Sequence, residues 1–297
     1  MKLLRILSSG TIIALAGIIL FSAKAIMVKL AYQYQVSAMH LLLFRMLFSL
    51  PFYLMVILYF RPENKENIRK TDYLRLCLFG ALGYYLASYL DFLGLQYLKA
   101  GLERILLFVY PTLVVLLSRV FFKTNISANQ AWSMCITYLG IVLAFWEELQ
   151  FEGDQVLWGA VLILLSALTY AIYLVGSDWL IPKFGVLVFT SYAMISATAG
   201  VAIHYLITDR SSLVHYPSEV YLLGFMIAIV STLIPSFLVS LAIKKMGAPT
   251  FSILGSVGPV STIILAYWLL DEPYSLFQLL GMAVVIIGVG RLSIKRK

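Results

Sequence analysis

Displaced by 148 positions, the separation of Pro111 and Pro259, the chain matches itself. Ser88 then falls on Ser236, Leu93 on Leu241 and Ala100 on Ala248. The register continues without a gap through Ile105 and Ile253, Val109 and Val257, Gln130 and Gln278, and Gly140 and Gly288. A duplication of this length in strongly apolar sequence restricts the fold to two homologous bundles packed against one another.

Composition places those bundles in lipid. The 297 residues are 62% hydrophobic and 12% charged, and the mean hydropathy is +0.94. A soluble domain carries about twice that charged fraction, and its helices show one apolar stripe, whereas these runs are apolar on every side. Ten such runs lie near 9–33, 37–60, 73–98, 100–122, 129–147, 156–181, 185–208, 218–243, 248–270 and 274–292. Lys2 and Arg5 followed by an apolar run and Ser22-Ala23-Lys24-Ala25 imitate a cleavable signal peptide. The run continues to about Tyr32, however, and cleavage would remove the first span of the first repeat, so it is read as a span.

Charge orients the spans. With the N-terminus in the cytoplasm, most lysines and arginines, from Lys2 and Arg5 through Arg61, Arg69, Lys183 and Lys244 to Arg296 and Lys297, fall inside. Only Lys29, Lys99 and Arg210 fall outside, together with the acidic stretch Glu147–Asp154 and the Asp271-Glu272 pair. The net charge of +8 therefore reflects membrane topology, and no basic patch interleaved with aromatics points to nucleic acid. Five spans per copy, an odd number, turn the copies over. The expected fold is an all-α membrane protein of ten transmembrane helices, arranged as two inverted five-helix repeats. The repeats cover 1–147 and 156–292, with a basic cytoplasmic tail at 293–297. Both termini are expected in the cytoplasm and the chain in the cell inner (plasma) membrane, as monomer or homodimer.

Particular residues carry a family resemblance. Span four has Ala100 then Pro111, and span nine has Ala248 then Pro259. Span nine ends Leu270-Asp271-Glu272-Pro273-Tyr274-Ser275, followed by Gln278, Gly281 and Gly288. Arg45, the stretch Tyr89 to Leu95, and Ser166-Ala167-Leu168-Thr169-Tyr170-Ala171 complete the pattern. The chain resembles the drug/metabolite transporter superfamily and its EamA branch along nearly its whole length. The resemblance implies ten helices and the export or exchange of small polar metabolites, amino acids among them. Two departures stand out: Thr124 replaces the glutamate that closes span four in many relatives, and Lys24, Asp91, Glu103 and Arg104 are not general family features.

Those four charges, with Arg45, are the sharpest local signal. An unpaired charge near the bilayer centre costs about 3 kcal/mol on insertion scales, so these side chains face one another or a wet cavity. The second copy lacks them: Asp91 aligns with Val239, Glu103 with Phe251 and Arg45 with Ala193. A cavity between the copies would thus be charged on one wall and aromatic on the other. The candidate substrate-binding residues are Lys24, Tyr84, Tyr85, Ser88, Asp91, Glu103, Arg104, Tyr170, Tyr173 and Ser256. Structural ion pairs, Asp91–Arg104 and Glu103–Lys24 among them, are the competing reading, and Arg45 is assigned a structural charge. Pro111 and Pro259 are candidate hinges, since each removes a backbone donor in mid-span.

No catalytic or metal-ligating pattern is present. His40, His204 and His215 are isolated, Cys77 and Cys135 show no disulfide or metal spacing, and no P-loop, dinucleotide fingerprint or nucleophile elbow occurs. The expectation is a non-enzymatic secondary transporter without cofactor or metal, exporting a small amino-acid-like metabolite by alternating access. Its partners would be a small-molecule solute and the lipid bilayer, not nucleic acid. Asp91 or Glu103 would couple export to protons. An exchanger of phosphorylated or anionic metabolites, or a non-transporting membrane scaffold, are the alternatives.

Overall fold

The computed structural model describes residues 9–122, 128–151, 153–209, 211–255 and 257–292. Among them there is no strand, and every regular element is helical. Long unbroken helices are α1 (Ser9–Tyr32), α2 (Ala38–Tyr59), α7 (Ala128–Phe151), α8 (Gly153–Phe184) and α9 (Val186–Thr208). The rest come in pieces: α3 (Lys70–Gly80) and α4 (Ala87–Gly94), α5 (Ala100–Leu107) and α6 (Tyr110–Phe122), α10 (Ser218–Ala228) and α11 (Ile234–Met246), α12 (Ala248–Leu254) and α13 (Val257–Leu270). α14 (Leu276–Leu292) closes the described chain. Among the described residues, eight continuous stretches are long and apolar enough to cross a membrane; two further apolar helices, 131–144 on α7 and 276–289 on α14, are shorter.

The discontinuities recur with the sequence register. A π-helical turn at Ala81–Leu86 joins α3 to α4, and another at Ile229–Leu233 joins α10 to α11. Their first residues, 81 and 229, stand 148 apart, as do the two prolines. Pro111 cannot donate to the carbonyl of Leu107 and its ring crowds that carbonyl, and α5 ends at Leu107. Val109 N–H turns instead to Leu106 O at 3.0 Å before α6 begins. Pro259 stands in the same relation to Gly255, one residue beyond the end of α12. α11 and α12 are separated by Gly247 alone, whose φ of 81° lies in the region open chiefly to glycine.

The packing repeats as well. α1 rests on α11 and α13, and α8 rests on α4 and α6, so the first span of each half meets the third and fourth spans of the other. α2 packs on α9, α9 on α3 and α10 on α2. α7 and α14 form a separate close pair. In lipid, helix association depends on close backbone approach more than on burial, and glycines allow it here. A Cβ on Gly140 would lie 2.7 Å from Val285 N, and one on Gly281 would lie 2.5 Å from Ala144 N.

Candidate functional site

The intramembrane charges converge where α1, α4 and α5 meet α8, α11 and α13. Lys24, mid-way along α1, donates to Asp91 Oδ2 on α4 at 2.6 Å, and both side chains are buried. Arg104 on α5 donates through Nη2 to Ser22 Oγ at 3.1 Å, and the Ser22 hydroxyl donates in turn to Ile18 O at 2.8 Å. The ring of Phe21, one turn before Lys24, takes both cations: Lys24 Nζ lies 5.0 Å and Arg104 Cζ 5.4 Å from its centroid. The pairings differ from those weighed on the sequence. Lys24 takes Asp91, and Arg104 takes a neutral hydroxyl, because Phe21 and Ser22 ride on the same turns of α1.

Glu103 lies adjacent to Arg104 on α5 with 0% exposure, and neither of its carboxylate oxygens has a hydrogen-bond partner. Its carboxyl interacts with that of Asp91, whose Oδ1 is likewise unpartnered. Three oxygens of this carboxyl pair therefore take no bond from an amide, a hydroxyl or a cation. An isolated buried carboxylate is very costly, so this arrangement calls for a proton or a ligand cation.

Arg45 is also fully buried and stands apart. Its Nε donates to Thr232 Oγ1 at 2.7 Å and its Nη1 to Ser88 Oγ at 2.8 Å, over the Phe92 ring at 5.7 Å. Thr232 belongs to the π turn at 229–233 and Ser88 to α4, so Arg45 ties the two halves together through neutral partners. One guanidinium nitrogen, Nη2, is left unpartnered.

Aromatic rings fill the remainder. Phe21 stacks on Tyr170 with centroids 6.4 Å apart, Tyr110 meets Tyr170 edge-on at 5.3 Å, and Tyr170 stacks on Tyr173 at 6.0 Å. Tyr84 lies behind them against Tyr173, at 4.9 Å. Two small cavities flank the Phe21–Tyr170 stack. One, of about 30 Å3, is lined by Arg104, Tyr110, Phe251 and Pro259 as well as the stack, and the other, of about 20 Å3, by Lys24, Ser88, Asp91 and Ser166. A water needs roughly 10–15 Å3 measured this way, so these spaces hold a water or two and no metabolite. The centre is occluded.

One end of the bundle holds a polar vestibule of about 590 Å3, lined by Lys29, Tyr32, Gln33, Gln35, Gln96 and Glu272 among others. There Glu272 accepts from Ala100 N–H through both oxygens, at 2.9 and 3.2 Å, and a carboxylate at the N-terminus of α5 is electrostatically favourable. The other end is tied across the halves by Lys183–Asp72 at 2.9 Å and Lys244–Glu63 at 2.7 Å.

Tyr85 falls outside the cluster, its hydroxyl 3.0 Å from His204 Nδ1. A π turn carries Tyr84 inward and leaves Tyr85 facing α9, a displacement that helical spacing does not reveal. Ser256 lies outside the described residues. Phe21, Ser22, Tyr110 and Phe251 line or support the site and were not singled out on sequence grounds. Their signals were available: Phe21 sits one turn from Lys24, and Phe251 occupies the position of Glu103 in the other copy. Among the described residues no group of three acidic, histidine or cysteine side chains is placed to hold a metal.

The sequence profile of the EamA-like transporter family matches twice, at residues 8–146 and 157–294. The chain belongs to the EamA-like transporter family. A relative from Bacillus subtilis (strain 168), the uncharacterized transporter YcbK, is 32% identical over 280 residues, spanning 92% of this chain and 89% of its own. UDP-xylose transporter 3 of Arabidopsis thaliana is 26% identical over 183 residues, 59% of this chain and 50% of its own. A solved crystal structure superposes over 96% of both chains with a TM-score of 0.70 at 16% identity, a likeness of fold alone. This EamA-family chain is thus a multi-pass membrane protein in a family of transporters.

Proposed function

We propose that this EamA-family protein exports a small amino-acid-like metabolite through the occluded centre, by alternating access between two inverted five-helix repeats. The repeats are 1–147 and 156–292, with both termini cytoplasmic in the cell inner membrane. The recurrence of π turns, helix breaks and packing partners at one offset supports the repeat, with α7 and α14 as the fifth and tenth spans. The breaks before Pro111 and Pro259 serve as bend points on opposite sides of the centre.

One observation carries the solute reading: buried donors and unpartnered acceptors face each other across an aromatic box. In the loaded state the solute carboxylate sits on Arg104 and Lys24, whose planar fork and ammonium suit it. Its ammonium sits on Asp91 Oδ1 and the two Glu103 oxygens, unpartnered in the occluded state. Its side chain lies among Phe21, Tyr110, Tyr170 and Phe251. A proton shared by Asp91 and Glu103 replaces the ammonium on the return step. Binding requires the Phe21–Tyr170 stack to part, since the occluded cavities hold only about 30 and 20 Å3.

The test is counterflow of radiolabelled amino acids in proteoliposomes, after a thermal-shift screen for ligands. A bound ligand near a hundred times its Kd adds about 2.7 kcal/mol of stability. Arg104→Gln should abolish counterflow, and Glu103→Gln should remove the effect of an imposed pH gradient. Unchanged counterflow in Arg104→Gln would refute the solute assignment, and a pH response surviving both Glu103→Gln and Asp91→Asn would refute the coupling. A second reading has its own support. The buried cations Lys24, Arg45 and Arg104 outnumber Asp91 and Glu103 by one, which suits a phosphorylated or other anionic metabolite, and one relative is a nucleotide-sugar transporter by name. Inhibition by phosphate analogues and not by amino acids would favour it. A scaffold without transport predicts no counterflow of either class.

A further inference from the structure

Away from the solute site, α3, α6 and α8 enclose a groove of about 360 Å3 at the end of the bundle where α3 begins and α6 and α8 finish. Its walls are apolar: Phe79, Phe121, Ile172 and Val175. Phe121 is 61% exposed, so the groove opens outward from the bundle. Its mouth is built differently. Trp179 presents its ring to two cations, Arg75 Cζ at 4.7 Å and Lys183 Nζ at 4.9 Å from the centroid. Asp72, 1% exposed, anchors both, taking Lys183 Nζ at 2.9 Å on Oδ2 and Arg75 Nη1 at 3.4 Å on Oδ1. One carboxylate thus serves two cations, and the mouth keeps a net positive charge. Arg75 holds its fork on the tryptophan face with 49% of its side chain exposed.

We propose that this groove binds one anionic phospholipid, with its phosphate on Arg75 and Lys183 and an acyl chain along Phe79, Phe121, Ile172 and Val175. Charge and level support one occupant. Phe79, Ile172 and Val175 lie deeper along α3 and α8 than Arg75 and Lys183, which sit toward the helix ends where headgroups lie. A guanidinium pre-positioned on an aromatic face binds phosphate oxygens bidentately with little ordering cost. A zwitterionic headgroup would bring its own ammonium toward Arg75 and Lys183, whereas a headgroup without that cation keeps the full attraction. On the proposed topology the site lies in the cytoplasmic leaflet. It does not depend on the identity of the solute.

The test uses the full chain purified in detergent. Native mass spectrometry with equimolar phosphatidylglycerol and phosphatidylcholine should show one phosphatidylglycerol retained in preference. Thermal-shift titration with each lipid then compares the wild type with Arg75→Gln and with Lys70→Gln, an exposed basic residue at the start of α3 outside the groove. Arg75→Gln should weaken phosphatidylglycerol binding about fivefold, the equivalent of about 1 kcal/mol per basic residue near an anionic surface. Lys70→Gln should leave it unchanged. Inorganic phosphate at the same concentration should not substitute for the lipid, because it lacks the chain. Equal retention of the two lipids by the wild type overturns the proposal without any variant. Equal losses in Arg75→Gln and Lys70→Gln, or full substitution by phosphate, overturn it too.

Discussion

Replacing Lys24 and Asp91, singly and together, tests how the centre is held. In the native protein they meet at 2.6 Å with about 3% and 2% of their side chains exposed. Removing one partner of a buried pair strands the other, at a typical cost of 3–5 kcal/mol. The two losses are not symmetrical. Lys24→Met leaves Arg104 beside Asp91 and Glu103, and a proton shared by the two carboxyls restores one charge against one. Asp91→Leu leaves Lys24 and Arg104 facing Glu103 alone, and should cost more. Lys24→Met/Asp91→Leu removes both charges and fills the space with apolar atoms, so it should return close to native stability. A double-mutant cycle should therefore give an interaction of roughly 3 kcal/mol. Reversible unfolding of the full chain by SDS in mixed micelles measures it, with counterflow assayed on the same variants. Additive costs, with the double variant as unstable as the two singles summed, would refute the reasoning. A stable double variant that no longer transports assigns the pair to the solute. A stable one that transports normally assigns it to helix locking.

Two other outcomes follow from the geometry. Gly140→Val forces a branched side chain into the backbone of α14, where even a Cβ would lie 2.7 Å from Val285 N; overpacking should cost about 1–3 kcal/mol in the same SDS assay, and a neutral result would mean that α7 and α14 are not closely packed in the membrane. The Ser211 hydroxyl and backbone N–H, with His40 beside them, hold the Asp209 carboxyl below its ordinary value of 3.8. A depressed carboxyl pKa stabilises above the unfolded value and ceases to as pH falls through the folded value, so this contribution is full at neutral pH and fades below about 3.8. Asp209→Asn should flatten the pH dependence of stability in that acid range, and through the His40 Nε2–Asp209 Oδ2 contact at 3.0 Å it should also move the histidine step.

The legible and illegible parts of the site separate cleanly by scale. Lys24, Asp91, Glu103 and Arg104 were visible because intramembrane charge is rare and costly, whatever surrounds it. Their partners were not visible. Pairing depends on which turns of α1, α4 and α5 face one another, and adjacent residues on a helix point about 100° apart. Tyr84 and Tyr85 show the same limit. Ordinary helical spacing separates them, but the π turn at Ala81–Leu86 decides which one meets Tyr173.

By itself the sequence determined the environment, the helical class, the internal offset and the candidate charges. Each of these follows from transfer free energy along one dimension, and lipid leaves a polar backbone few choices. Only the tertiary structure decided that the centre is occluded, that Phe21 stands between Lys24 and Arg104, and that Asp72 gathers two cations around Trp179. Those facts rest on distances of a few ångströms between residues as far apart in sequence as Phe21 and Pro259. They are set by how close two helix backbones can come, which glycines, π turns and broken spans settle only when the whole bundle is assembled.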